Sequence, residues 1–473
     1  MSKIEQIYTN CLAQGSYFIE SNGEAAVIDP LREPGPYLQR AADKGVKIKY
    51  IFETHFHADF VSGHLDLAKK TGATIVYGPT AETAFEKHMA SDGEEFKVGE
   101  LTFKALHTPG HTPESTTYLL KKEDGSDHAI FTGDTLFIGD VGRPDLAQKA
   151  TNMTEKDLAG MLYDSLRTKI MKLNDEVIVY PAHGAGSACG KNMSSETFDT
   201  LGNQKRTNYA LRANMTRQEF IKEVTEGLSA PPQYFAKNAK LNKEGYGSLD
   251  QVMESGLKAI TPLEFVEYTQ NNKVLILDVR DKNDFVKGFV PNSVFIGLDG
   301  SFAPWVGALI TDIKQQIVLV TPEGREEEAV RRLARVGYDN TIGYLEGGFE
   351  AWQKAGLDVN RIETKRMEDF VANGILQAES IVDVRKPGEY DTAHYEEAHS
   401  APLDHFPKNV YGNLDRSKTH HLHCRSGYRS TVACSIMSKD GYKKLVNVIG
   451  SFDLIKNSDL AVAGSCSTLA CNH

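Results

Sequence analysis

The segment Thr54-His-Phe-His-Ala-Asp-Phe60 crowds two imidazoles and a carboxylate into one short stretch. That density of donors suits a divalent transition metal. More donors follow, each just after a strand-like run: His111 in Thr108-Pro-Gly-His, Asp134 in Thr132-Gly-Asp and His183 in Tyr180-Pro-Ala-His. A single histidine is usually structural, but donors gathered in this order point to a metal cleft. Near the other end, Cys424 opens Cys-Arg-Ser-Gly-Tyr-Arg-Ser430, between an apolar run and a helical pattern starting at Thr431. A sulfur at a helix N-terminus meets unpaired N–H donors and the positive end of the dipole, and Arg425 and Arg429 add cationic attraction. Such a setting spreads the negative charge of a nucleophilic or sulfur-carrying thiolate over fixed donors.

The elements that must position these groups fall into three blocks, as the 473-residue length suggests. Over the first block, strand-like runs (Tyr17–Glu20, Ala25–Ile28, Lys49–Phe52, Thr74–Tyr77, then Phe96 to Phe131) outnumber helices without strict alternation. This predicts two sheets packed face to face with helices outside. The polar stretch from Ala230 to Ser248 reads as a loop or linker, and the first boundary is placed near residue 250. The rest contains an internal repeat: Asp278-Val-Arg280 to Leu298 lies without gaps on Asp383-Val-Arg385 to Leu403. Each copy is predicted to be a small α/β domain, giving blocks 1–250, 251–360 and 361–473. The alignment sets Thr321 opposite Cys424, and a hydroxyl cannot hold a persulfide, so the middle block is expected to be inert.

A net charge of −11 argues against nucleic acid as a partner. No apolar run is long enough to cross a bilayer, and the start Met-Ser-Lys-Ile-Glu-Gln lacks the apolar core of a secretory signal, so a cytoplasmic location away from membranes is expected. Six scattered cysteines do not form a disulfide framework. Cys434 is expected to pack in the core and Cys466 and Cys471 to lie in a frayed tail, while Cys11 carries no signal.

The donor clusters of the first block resemble the metallo-β-lactamase superfamily, whose HxHxDH motif, later His, Asp and final His line a cleft. The match departs at Phe60, where the family has histidine. An apolar ring donates nothing to a metal, which weighs against the two-metal arrangement of glyoxalase II enzymes. What remains resembles the persulfide dioxygenase branch, and the resemblance implies one Fe(II) per chain held by His55, His111 and Asp134. It leaves His57, Asp59 and His183 to orient ligands or accept protons, and Arg143, in Gly139-Asp-Val-Gly-Arg-Pro-Asp145, to hold an anionic group of the substrate. Cys189, in a glycine-rich loop, is a candidate to contact or carry a persulfide. The repeats resemble rhodanese domains, with Cys424 as sulfur carrier. The implied fold is a metallo-β-lactamase αββα sandwich followed by two rhodanese-like α/β domains. The implied reactions are oxidation of a small-molecule persulfide by dioxygen to sulfite and sulfurtransfer giving thiosulfate. A homo-oligomer and a sulfur-donating protein are further expected partners. The rival expectation is a zinc-dependent thioester hydrolase of the glyoxalase II type.

Overall fold

Strand Gln14–Ser21 is buried along most of its length although it alternates like a half-exposed strand. The reason is that both of its faces are covered. Tyr17 and Ile19 join Phe52, Val76, Phe103, Tyr118 and Phe131 in one core, whereas Phe18 joins Val27, Ile51, Ile75 and the helix residues Tyr37 and Leu67 in another. Period-two alternation therefore sends neighbouring side chains to two different cores. A computed structural model describes residues 3–147, 152–228, 230–271, 273–373 and 375–464. Cys466 and Cys471 fall outside them.

The inner core lies between two six-stranded sheets. One runs Lys3–Thr9, Gln14–Ser21, Glu24–Ile28, Lys47–Phe52, Thr74–Tyr77, His88–Met89 in spatial order. The other runs Asp199–Thr200, Ile178–Pro181, Asp127–Gly133, Thr116–Lys121, Leu101–His107, Glu95–Val98. Helices Gly35–Lys44 and His64–Thr71 cover the first sheet, and Glu155–Thr168 covers the second through Leu162 and Leu166. The result is the expected αββα sandwich. Strands ending at Phe52, His107, Gly133 and Pro181 release the four donor-bearing turns.

One expectation fails. The stretch from Ala230 to Ser248 is not simply a linker, because Phe235–Glu244 is helical. Its buried stripe is Phe235, Asn238 and Asn242, helical in spacing but mostly polar in type, so hydropathy conceals it. Asn242 explains the polarity: its Nδ2 donates to the carbonyls of His57 (2.7 Å) and Phe60 (2.8 Å), and its Oδ1 accepts from the N–H of Ser62 (2.9 Å). The helix thus holds the donor loop from outside.

Contacts divide the chain into two units, residues 1–250 with Ala334–Gly337, and the remainder. The second unit holds two parallel five-stranded sheets of identical topology. Their spatial orders are Ala259–Ile260, Thr341–Leu345, Gln316–Val320, Val274–Asp278, Val294–Phe295 and Glu363–Arg366, Leu445–Ile449, His420–His423, Ser380–Asp383, His399–Ser400. The repeated Asp-Val-Arg is a structural staple. Arg280 Nη2 donates to Asp278 (2.7 Å) and to the carbonyl of Gly288 (2.9 Å), and Arg385 grips Asp383 and the carbonyl of Ala393 in the same way. The two repeats share a core in which Phe285, Phe289 and Phe295 pack with Val382, Leu422 and Val432.

Candidate metal centre and cysteine loop

His55 is fixed by its neighbour. Asp29, at φ +49° in the left-handed region, accepts from both the N–H (2.8 Å) and the hydroxyl (2.9 Å) of Thr54. With its proton spent on Asp29, Thr54 Oγ1 must accept from His55 Nδ1 at 2.9 Å, which leaves a lone pair on His55 Nε2. Gly133 permits this approach, since a Cβ there would lie 2.4 Å from Thr54 Oγ1. His111 is set similarly: its Nδ1 lies 2.8 Å from the carbonyl of Arg143, which can only accept, so Nε2 is again free. The two Nε2 atoms sit 3.8 and 3.5 Å from Asp134 Oδ2, which is buried without a hydrogen-bond partner. One ligand atom from each of these three residues falls within 4.8 Å of the others. Burial, with His57 adding to it, holds His55 well below the ordinary imidazole range, so it is neutral as a ligand requires. Two imidazoles and a carboxylate with an orphaned oxygen fit a divalent metal, and this facial set suits non-haem iron while also accepting zinc.

Asp134 Oδ1 is engaged elsewhere, 2.7 Å from His183 Nδ1, while His183 Nε2 lies 2.9 Å from Asp59 Oδ2. Burial alone would depress His183, but Asp134 and Asp59 outweigh it and raise it well above its usual range. Facing a carboxylate at each nitrogen, His183 engages Asp134 Oδ1 and leaves Oδ2 turned toward the two histidines. His57 Nε2 lies 3.1 Å from Asp29 Oδ1, and its ring packs on Phe60 at 4.4 Å between centroids. His57, Asp59 and His183 also bring ligand atoms within 4.8 Å of one another. The buried ring of Phe60 stands beside that group.

Cys189 is buried against this centre, grouped with Asp134 and His183. Burial, then Asp134 and Asp59, push its thiol well above the usual range, so it rests protonated. Arg143 does not extend an open guanidinium. It grips Asp145 in a two-pronged pair, 2.7 Å at both Nε and Nη2, and donates from Nη1 to the carbonyl of Ala188. Its distinct contribution to the centre is the carbonyl that orients His111.

In the second unit, strand His420–His423 delivers Cys424 to the start of helix Tyr428–Lys439, which begins earlier than the expected Thr431. The N–H of Gly427 donates to Cys424 Sγ at 3.1 Å. Gly427 adopts φ +89°, and a Cβ there would lie 2.7 Å from Ile449 Cγ2. Arg425 is exposed. Arg429, expected to attract the sulfur, interacts electrostatically with Cys424 and is also paired through Nη1 and Nη2 with Glu389 at 2.6 and 2.9 Å. Cys434 is buried in the core, as expected.

The matching loop of the other repeat keeps the left-handed glycine, Gly324 at φ +79°, but has Thr321 in the place of the cysteine. Glu326, aligned with Arg429, accepts from both Thr321 Oγ1 and the Gly324 N–H at 3.2 Å. A carboxylate of the chain itself thus takes the donor that Gly427 offers to sulfur in the other loop. The sequence reading missed Glu326 and Glu389, and also Asp29 and Thr54. Only Asp29 left a signal, the abrupt strand stop at Asp29-Pro30.

The family model described as the metallo-beta-lactamase superfamily matches residues 10–183, and that of the rhodanese-like domain matches 261–355 and 367–458. The mitochondrial persulfide dioxygenase of Homo sapiens is 30% identical over 211 residues, 44% of this chain and 73% of that protein. The chain belongs to the metallo-beta-lactamase superfamily. In this superfamily member the catalytic fold is followed by two rhodanese-like domains. A metallo-beta-lactamase from Staphylococcus aureus superposes with a TM-score of 0.63 at 30% identity, over 73% of this chain and 98% of that one. A probable hydroxyacylglutathione hydrolase of Schizosaccharomyces pombe is 27% identical over 249 residues, 48% of this chain and 91% of that protein. Among the described residues, no helix is long and apolar enough to cross a membrane.

Proposed function

We propose that this enzyme oxidises a low-molecular-weight persulfide with dioxygen to sulfite and thiol at one iron per chain, and that Cys424 transfers a second persulfide sulfur to sulfite, giving thiosulfate. The observation that carries the reading is a convergent donor set beside a non-donor: His55 Nε2, His111 Nε2 and the orphaned Asp134 Oδ2 face one another, while the ring of Phe60 packs on His57 in the neighbouring group. Iron held by these three residues would supply the redox chemistry toward dioxygen and a sulfur anion. The chain's own residues do the rest. Thr54 and the Arg143 carbonyl orient the imidazoles, His183 locks Asp134, and the ring of Phe60 offers no donor to the neighbouring group of His57, Asp59 and His183. Overall, persulfide, dioxygen and water give sulfite, thiol and two protons. The persulfide dioxygenase relative and the rhodanese-like domain carrying Cys424 support the pairing of the two reactions.

Anaerobic purification with metal analysis, then dioxygen uptake with glutathione, coenzyme A and bacillithiol persulfides, tests the proposal. One iron per chain and persulfide-dependent uptake are expected. A second reading, zinc-dependent thioester hydrolysis, is favoured by one observation, the hydroxyacylglutathione hydrolase relatives of similar identity. Two zinc ions per chain without dioxygen uptake would establish it instead.

A further inference from the structure

The sulfur loop is short of free positive charge on its own domain. Arg429 acts on Cys424 but shares its charge with Glu389 in a two-pronged pair, which leaves exposed Arg425. A further cation comes from the repeat that has no cysteine. Lys282, the first residue of helix Lys282–Lys287, donates from Nζ to the carbonyl of Ser426 at 2.8 Å, and Ser426 lies in the loop itself. A carbonyl is neutral, so this contact fixes the ammonium without cancelling its charge. The nearby carboxylates are committed elsewhere: Asp281 accepts from the N–H of Asn283 at 2.8 Å, and Asp284 pairs with Lys287 at 3.1 Å. Among the described residues, Lys282 has no ion-pair partner.

The placement is fixed by more than one flexible side chain. Tyr428, also in the loop segment, donates to the carbonyl of Gly297 at 3.1 Å, and Ser435 Oγ accepts from the N–H of Phe295 at 2.9 Å. Phe295 belongs to the core that the repeats share with Cys424. The inert repeat is therefore docked on the loop with Lys282 at its rim.

We propose that Lys282 is the cation by which the cysteine-less repeat recruits a small sulfur oxyanion to the sulfur held on Cys424. The proposal rests on the reading of Cys424 as a persulfide carrier. In the step served, the sulfur lone pair of sulfite attacks the terminal sulfur. The new S–S bond forms as the bond to Cys424 Sγ breaks, and its electron pair stays on Sγ. A persulfide anion and a sulfite dianion become a thiolate and a thiosulfate dianion, with charge conserved and no proton moved. Two anions must meet, so a rim cation lowers the cost of encounter, an effect that salt screens.

The test uses the full chain with Lys282→Gln and Lys282→Arg, comparing sulfite with neutral dithiothreitol as acceptor. Lys282→Gln is expected to raise the KM for sulfite by about three- to tenfold, with kcat moving less than twofold, and the difference should collapse near 1 M salt. Lys282→Arg should restore the low KM. An unchanged KM for sulfite, or an equal loss with dithiothreitol, would overturn the proposal. A second readout needs no turnover: sulfate should protect Cys424 from iodoacetamide less well in Lys282→Gln than in the parent, and equal protection would also overturn it. If the parent transfers sulfur to neither acceptor, the carrier role of Cys424 fails, while the protection assay still decides Lys282.

Discussion

Thr54 carries more of the metal centre than its chemistry suggests. Its hydroxyl donates to Asp29 and accepts from His55, so it fixes which imidazole nitrogen faces Asp134. Thr54→Val keeps the shape but removes that acceptor. Metal affinity, measured by competition with a chelator, is expected to fall by about 10–100-fold, the usual cost of losing a partner that orients a ligand. Phe60→His is the complementary experiment. It adds a donor beside Asp59 and His183, and zinc capacity is expected to rise above one ion per chain. Unchanged stoichiometry would mean that the His183 clamp closes the second position by itself.

At the level of elements, the two cysteine-type loops share a backbone and differ in who occupies the anion seat. Thr321→Cys alone is therefore expected to yield no measurable sulfurtransfer in a Cys424→Ser background, because Glu326 keeps the Gly324 N–H. Detectable thiosulfate formation would show that the carboxylate yields the seat. In the repeat that carries Cys424, hydrogen bonds from Arg429 hold Glu389 down to about 2 despite partial burial. A carboxylate depressed on folding stabilises above its unfolded value of about 4.3 and loses that stabilisation as pH falls through its folded value. Acid unfolding between pH of about 4.5 and about 2 should thus be steeper in the parent than in Glu389→Gln, by circular dichroism. Parallel curves would remove this pair from the account.

For the whole molecule, separation of the two chemistries is the central expectation. The metal ligands lie in the first compact unit and Cys424 in the second. Cys424→Ser leaves every metal donor intact, so persulfide-dependent dioxygen uptake should stay within about twofold of the parent. The product should shift from thiosulfate to sulfite, since a hydroxyl fits the loop but accepts no sulfur. Product analysis by chromatography decides this. Thiosulfate at the parent rate would route sulfur through another thiol, with Cys189, buried beside Asp134, the first candidate.

Types and spacings alone gave the layered sandwich, the internal repeat, a wider set of donors that includes His55, His111 and Asp134, and the sulfur at Cys424, because strand periodicity and ligand chemistry are local properties of the chain. The family resemblance then narrowed that set to three and marked Phe60 as a missing donor. Three matters were decided only in three dimensions. Asp145 and Glu389 pair with Arg143 and Arg429, and no spacing rule reports which guanidinium already has a partner. The helix Phe235–Glu244 was hidden because its buried face is built from asparagines that bond to the donor loop rather than from apolar residues. The hydrogen-bond pattern of the centre, with Nε2 of His55 and His111 turned to Asp134 Oδ2 and both nitrogens of His183 engaged by carboxylates, follows from acceptors distant in sequence or from carbonyls that any residue possesses. Those partners meet the imidazoles only when the strand ends converge, so the tertiary fold, and not the motif, selects which nitrogen is free to bind.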